Sequence, residues 1–151
     1  MVTVNAHQLR DIIEEGENDR IEFKRCGNQP EKDLFETICA FANTFGGTIL
    51  LGVEDDGSLT GVNSTQVLPV TRNIRNVVSN PNAFDVPVSL EFEHIEIDDR
   101  QIIKVDVPNS PQMHSYKGKV YERRGDADVV VRGSAPLAEL CIRKQGIYTE
   151  Q

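Results

Sequence analysis

The feature that most constrains the fold is the segment 41–57, which reads FANTFGGTILLGVEDDG. A helical pattern ends near Asn43, the two glycines Gly46 and Gly47 follow, and residues 48–53 then form a continuous apolar run. A run of strand length without polar interruption is typical of a strand covered on both faces. The segment therefore predicts a helix, a tight turn that needs glycine geometry, and a buried strand.

Apolar periodicity along the rest of the chain predicts the other elements. Helices are predicted over residues 5–15, 30–43, 64–78 and 135–144. Strands are predicted over residues 19–24, 48–53, 86–97, 101–107 and 119–124, with hairpin turns near 55–57 and 98–101. We therefore expect an α+β (mixed α/β) fold. It would be one compact domain over residues 1–151, with a mixed sheet and hairpins flanked by three to four helices, either alone or as the N-terminal part of a longer regulator.

Composition excludes several classes of protein. The formal charge of −8 argues against a uniformly basic nucleic-acid binder, because affinity for phosphate backbones depends on Lys and Arg. The three cysteines, Cys26, Cys39 and Cys141, form no Cys-x-x-Cys pair, so neither a disulfide framework nor a zinc site is indicated. The chain shows no secretory signal and no apolar run that could cross a membrane, which predicts a cytoplasmic protein without membrane contacts.

Acidic residues cluster around two of the predicted strands. Glu17 and Glu22 bracket the start of the first strand, and Asp55 follows the strand of residues 48–53. If these strands are neighbours, the three carboxylates converge as hard oxygen ligands for Mg²⁺ or Mn²⁺. The alternative is that Glu22 pairs with a nearby base and Asp55 serves a polar turn.

Basic residues are concentrated late in the chain. Residues 112–133 contain five Lys or Arg and three Asp or Glu, so this segment is locally positive. Arg123 and Arg124 lie next to Tyr121, and Tyr116 lies a few residues before them. Arginines bind phosphate bidentately and tyrosines stack on bases, which predicts a local nucleic-acid contact. The alternative is that the arginines pair with neighbouring acids.

Several short motifs in a fixed order resemble the Schlafen AlbA-type domain family. These are Glu17-x-x-x-x-Glu22-Phe-Lys24, Ala40-Phe-Ala-Asn-Thr-Phe-Gly-Gly47, Leu51-Gly-Val-Glu-Asp-Asp-Gly57, Gly61-Val62 and Tyr121-Glu-Arg-Arg-Gly125. The resemblance extends over about residues 5 to 145. It implies structural roles for the motif residues Asn43, Gly46, Gly47, Gly52 and Gly57.

The resemblance implies two activities. Bacterial and archaeal members are typically described as DNA-binding or transcriptional-regulator domains. In animal Schlafens the domain forms an endoribonuclease whose three acidic residues match Glu17, Glu22 and Asp55. Those nucleases combine two lobes into a basic groove, which this chain could reproduce only as a homodimer.

Three hypotheses follow from the sequence. The first is a nucleic-acid-binding (DNA or RNA) domain of a transcriptional regulator, in which Lys24, Arg123, Arg124, Arg132 and Tyr121 contact the nucleic acid. The second is a Mg²⁺- or Mn²⁺-dependent endoribonuclease of the tRNA or rRNA type that uses Glu17, Glu22 and Asp55. The third is a non-catalytic interaction or dimerisation module whose motif residues serve only the fold.

Overall fold

The structure is a computed structural model that describes residues 5–149 of the 151-residue chain, with side chains described as far as Lys144. In this range the helices are α1 (Ala6–Glu15), α2 (Leu34–Asn43), α3 (Val67–Val78) and α4 (Ser134–Thr149). The strands are β1 (Ile21–Lys24), β2 (Gly47–Leu51), β3 (Glu91–Ile97), β4 (Arg100–Val107), β5 (Tyr121–Arg124) and β6 (Ala127–Val130). A 3₁₀ turn, Ser64–Gln66, leads into α3.

The strands form two sheets. The larger sheet has the order β1-β2-β4-β3, with β1 parallel to β2 and the other pairs antiparallel. The smaller sheet is the β5–β6 hairpin, which packs against α2. These elements confirm the predicted α+β class with a mixed sheet.

The larger sheet is covered on both faces at β2. Ile49 and Leu51 pack into a core with α2 and α3, whereas Leu50 packs on the opposite face with α1 and the side chain of Phe23. All three β2 side chains are fully buried. The uninterrupted apolar run therefore predicted the environment of this strand correctly.

The helix α1 begins and ends as the sequence predicts. Asn5 accepts a hydrogen bond from the amide of Gln8 at 2.9 Å, and the Gln8 side chain accepts one from the amide of Asn5 at 3.0 Å. This reciprocal capping box satisfies amides that a helix start leaves without partners. Gly16 follows the last turn.

Other boundaries differ from the sequence predictions. The helix α2 begins at Leu34 rather than at residue 30, because the preceding residues form a turn. The strand β3 begins at Glu91 rather than at residue 86, since Pro87 lacks an amide for the ladder. Strand β6 was not predicted, and the return after the turn of residues 55–57 is a single bridge between Val53 and Leu59.

Asn43 connects the end of α2 to a distant part of the chain. Its amide nitrogen donates to the carbonyl oxygens of His114 and Tyr121, both at 2.8 Å, and its carbonyl oxygen accepts from the His114 amide at 2.7 Å. The side chain is almost fully buried. It therefore bonds three buried backbone groups, of which the His114 carbonyl also accepts a weak 3.4 Å hydrogen bond from the Cys39 thiol.

The turn between α2 and β2 leaves no room for side chains at either glycine. Gly46 has φ +74°, and a Cβ there would lie 2.7 Å from the carbonyl oxygen of Val107. A Cβ at Gly47 would lie 2.9 Å from both the carbonyl oxygen of Arg20 and the ring of Phe41. The double glycine thus permits close packing of this turn against β4 and α2.

None of the helices within residues 5–149 combines the length and the apolar character needed to span a bilayer.

We predict that Asn43→Ala lowers the free energy of unfolding by roughly 2–5 kcal/mol, because it leaves buried amide and carbonyl groups unpaired. Urea denaturation monitored by circular dichroism measures this change. Asn73→Ala, at an exposed position in α3, is the matched control and should shift stability by about 0.5 kcal/mol or less. A similarly small loss in Asn43→Ala would contradict the assigned role.

Candidate nucleic-acid interface and acidic pocket

The three predicted acidic residues line one cavity of about 440 Å³. Eight of its ten lining residues are acidic and one is basic; the lining consists of Glu17, Glu22, Phe23, Lys24, Glu31, Asp33, Glu36, Asp55, Asp126 and Asp128. We call this cavity the acidic pocket. Its charge repels a phosphate backbone unless cations neutralise it.

The parallel pairing of β1 and β2 brings these carboxylates together. Glu22 lies on β1 opposite Ile49 of β2, and Asp55 lies in the turn that follows β2. Glu17 precedes β1, and its carboxylate accepts a 3.4 Å hydrogen bond from the amide of Phe23. The neighbouring strands required by the sequence prediction are therefore present.

Two glycines delimit the segment that carries Asp55. Gly52 directly follows β2, and its amide donates to the carbonyl oxygen of Lys24 at 2.8 Å. Gly57 closes the turn through a 2.8 Å hydrogen bond from its amide to the carbonyl oxygen of Glu54. Asp55 is held between them with an exposed side chain.

Arg123 is buried behind the acidic pocket, where it pairs with two of the lining carboxylates, rather than exposed at the surface. One guanidinium nitrogen donates to Glu22 at 2.9 Å and to Asp128 at 2.8 Å, and another donates to the carbonyl oxygen of Asn18 at 3.0 Å. The guanidinium also lies 4.8 Å from the ring centre of Phe41, and its side chain is 0% exposed. It is therefore inaccessible to a nucleic-acid backbone in this conformation.

Burial also changes the pKa of Glu22. It raises the pKa of this carboxyl above its ordinary value, whereas the hydrogen bond from Arg123 and the charge of Lys24 act in the opposite direction. A carboxyl whose pKa is shifted by burial in a cleft is a recurrent feature of functional sites. Buried ion pairs also shift pKa values, so this feature alone does not assign a role.

Two further predicted contact residues are buried. Lys24 pairs with Asp33 at 2.9 Å, and its side chain is 5% exposed. The Tyr121 hydroxyl donates to Glu36 at 2.9 Å, and burial together with this bond raises the pKa of Tyr121 to about 12. Tyr116 is half-buried. Lys24 and Tyr121 are therefore not available as surface contacts, whereas Tyr116 is partly accessible.

Arg124 and Arg132 are the predicted contact residues that are exposed. Arg124 donates to the buried carboxylate of Glu122 at 2.6 Å, and Arg143 of α4 donates to the other oxygen of Glu122 at 3.0 Å. The two arginine side chains are 63% and 51% exposed. Burial pushes the pKa of Glu122 upward, but the two guanidinium groups outweigh it and keep this pKa below its ordinary value.

The structure also shows residues that the sequence analysis did not single out. Asp126 and Asp128 join the acidic pocket, and Arg143 joins Arg124. Phe45 is exposed beside the guanidinium of Arg20, at 5.3 Å from the ring centre. The sequence could have indicated the exposure of Phe45, because this aromatic residue lies in a predicted turn, where an apolar side chain has no obvious place in the core.

The residue types in the acidic pocket suit a hard cation, because carboxylate oxygens are the preferred ligands of Mg²⁺ and Mn²⁺. Their arrangement is more open than a coordination sphere. Within the part of the chain that the structure describes, no group of three or more His, Cys, Asp or Glu side chains is close enough to hold a metal ion. Glu17, Glu22 and Asp55 therefore share a cavity without forming a ready-made metal site.

Twelve chains of solved structures are similar to this chain, among them the following two. The N-terminal domain of a protein named as related to the ATP-dependent DNA helicase RecG, from Nitrosomonas europaea, is 26% identical with a TM-score of 0.58. The match covers 84% of this chain and 93% of that domain. The DIP2311 protein from Corynebacterium diphtheriae is 18% identical with a TM-score of 0.56, a likeness of fold alone. That match covers 83% of this chain but 29% of the other, so this chain spans less than a third of that protein.

No curated protein matches this chain. The family model described as Schlafen, AlbA_2 matches residues 17–132, a range that contains the acidic pocket, the motif glycines and the β5–β6 hairpin. This match confirms the resemblance found in the sequence motifs. The chain belongs to the Schlafen AlbA_2 domain family.

Proposed function

We propose that this domain binds nucleic acid through an exposed arginine surface. Membership of the family and the similarity to a domain of a RecG-related protein support a role connected with nucleic acid. The observation that carries the proposal is the arginine pair Arg124 and Arg143, which the buried carboxylate of Glu122 holds at the surface. Each guanidinium has five N–H donors, so bonding to Glu122 leaves donors for phosphate.

The proposed contact residues differ in part from those predicted from sequence. We assign phosphate contacts to Arg124, Arg143 and the exposed Arg132. Arg123, Lys24 and Tyr121 instead support the wall of the acidic pocket through their buried contacts. A regulator role, a cytoplasmic location and a homodimer are further proposals that rest on the sequence analysis.

We predict that Arg124→Glu combined with Arg143→Glu weakens binding of oligonucleotides roughly tenfold or more, because two charge-assisted hydrogen bonds are replaced by repulsion. The slope of log affinity against log salt should become shallower by about 0.9 for each duplex phosphate that the variant no longer neutralises. Fluorescence anisotropy over a salt series measures both quantities.

The matched control for this experiment is Arg10→Glu. Arg10 is an exposed, ion-paired arginine of α1, which covers the opposite face of the sheet from α2. Its reversal should change affinity only slightly. Equal losses in the control and the double variant would contradict the assigned surface, and no retention of any oligonucleotide by the wild-type domain at low salt would favour the interaction-module hypothesis.

A second candidate function is endoribonuclease activity, favoured by the convergence of Glu17, Glu22 and Asp55 on one cavity. A divalent cation bound there would neutralise the phosphate and polarise its phosphodiester. The chain itself contributes the carboxylates, and the buried Arg123 orients Glu22 toward one defined position. This candidate also rests on what the family resemblance implies.

We predict for this candidate that tRNA is cleaved with Mn²⁺ present and is intact with EDTA. Glu22→Gln and Asp55→Asn should each reduce the cleavage rate roughly 100-fold or more, as expected for carboxylates that act on a reacting group. Gel analysis of end-labelled tRNA measures the rate. The thermal stability of Glu22→Gln must also be measured, because that substitution removes the negative charge that pairs with buried Arg123.

Asp55→Asn provides the sharper test, because Asp55 is exposed and its substitution leaves the Arg123 contacts intact. Asp99→Asn, at an exposed site in the β3–β4 turn, is the matched control and should retain full cleavage. Cleavage that continues in EDTA, or at the wild-type rate in both pocket variants, would rule this candidate out.

A further inference from the structure

Phe45 is an aromatic side chain exposed in the turn between α2 and β2. It is 53% exposed, and among the residues whose side chains the structure describes it is the one exposed aromatic. An apolar ring of this size that stays in water forgoes the favourable free energy of burial. An exposed ring with defined surroundings is therefore a candidate contact for a ligand.

The backbone on both sides of Phe45 is firmly held. The amides of Thr44 and Gly46 both donate to the carbonyl oxygen of Phe41, at 3.1 and 2.7 Å. The Thr44 hydroxyl donates to the carbonyl oxygen of Ala40 at 2.8 Å and accepts from the Arg123 amide at 2.8 Å. These hydrogen bonds define the backbone conformation of the turn that presents the ring of Phe45 to solvent.

A guanidinium group lies against this ring. The guanidinium of Arg20 lies 5.3 Å from the ring centre, a cation–π contact. The hydrogen bond between Thr44 and the Arg123 amide brings the following residue, Arg124, into the same region, together with its partner Arg143. The carboxylate of Glu122, which pairs with Arg124 and Arg143, and the exposed Asp19 and Asp126 balance the three guanidinium charges. The contact with a ligand therefore depends on the ring and the adjacent Arg20 rather than on a net positive charge.

An aromatic ring beside a guanidinium group fits an unpaired nucleotide. Every base has a flat face that can stack on Phe, and arginines can contact the adjoining phosphates. In a duplex the faces of the bases are already stacked on each other, so the ring has little to bind. The preferred ligand is therefore a single strand or an unpaired end or loop.

We propose that Phe45 and Arg20 form a base-stacking site that gives this domain a preference for single-stranded over double-stranded nucleic acid. This inference rests on the proposed nucleic-acid binding and specifies the form of its ligand. It assigns to the turn between α2 and β2 a contact that is separate from the acidic pocket. Single-stranded DNA and RNA offer the same stacking chemistry, and the experiment distinguishes them.

The test compares fluorescein-labelled oligo(dT), oligo(U) and a DNA duplex, each about 15 nucleotides long. The wild-type domain should bind at least one of the single strands more tightly than the duplex. Phe45→Ala should weaken that binding roughly five- to hundredfold, as expected for removing one stacked base, and should leave duplex binding nearly unchanged. Leu68→Ala, at another exposed apolar residue, is the matched control and should have no effect.

A second variant allows the contact to be detected directly by fluorescence. The chain contains no tryptophan, so Phe45→Trp introduces a single indole at the stacking position while keeping an aromatic ring. Its fluorescence should be quenched by the bound single strand, and its affinity should stay near that of the wild type. Leu68→Trp should bind equally well without quenching.

The outcomes separate this inference from the proposed function. If the wild-type domain binds single strands, and Phe45→Ala binds them equally well with no quenching in Phe45→Trp, the stacking site is wrong while nucleic-acid binding stands. A wild-type preference for duplex also overturns it. If the wild-type domain binds none of the three probes, the proposed function itself fails.

Discussion

The buried guanidinium of Arg123 is the interaction on which the arrangement of the domain depends. Arg123, on β5, bonds Glu22 of β1 and the carbonyl oxygen of Asn18 in the loop before β1, which joins the β5–β6 hairpin to this part of the chain. It also bonds Asp128 of β6, within the hairpin. Removing one partner of such a buried pair typically costs roughly 3–5 kcal/mol, because a charge is left without compensation. The pair therefore fixes where the hairpin lies relative to the larger sheet.

The position of the hairpin in turn defines both candidate functional surfaces. On one side it brings Asp126 and Asp128 to the acidic pocket. On the other it presents Glu122, whose two oxygens hold Arg124 and Arg143 at the surface. One short hairpin thus separates negative from positive charge within a few residues. A phosphate backbone would be attracted to the arginine side and repelled by the pocket at distances within a Debye length, about 8 Å at physiological salt.

The sequence predicted those features that depend on local pattern. The α1 boundaries followed from a cap and a glycine, the burial of β2 from an unbroken apolar run, and the shared cavity of Glu17, Glu22 and Asp55 from two neighbouring strands. The sequence did not predict the burial of Arg123, because its partner Glu22 is 101 positions away. In a linear sequence, moreover, a buried arginine cannot be distinguished from an exposed one. Strand β6 was not predicted for a related reason: it forms because it pairs with β5, and its own sequence shows no strand periodicity.

Glu22 combines a structural ion pair with remaining capacity to accept further bonds in the acidic pocket. A carboxylate has two oxygens with about four lone-pair sites, and Arg123 occupies one oxygen at 2.9 Å. The pairing therefore fixes the orientation of the carboxylate without using all of its capacity to accept bonds. Burial favours the neutral form while Arg123 favours the charged form, and the balance leaves the pKa of Glu22 raised. The same ion pair that positions the hairpin thus also orients the Glu22 carboxylate in the acidic pocket and partly counteracts the effect of burial on its pKa.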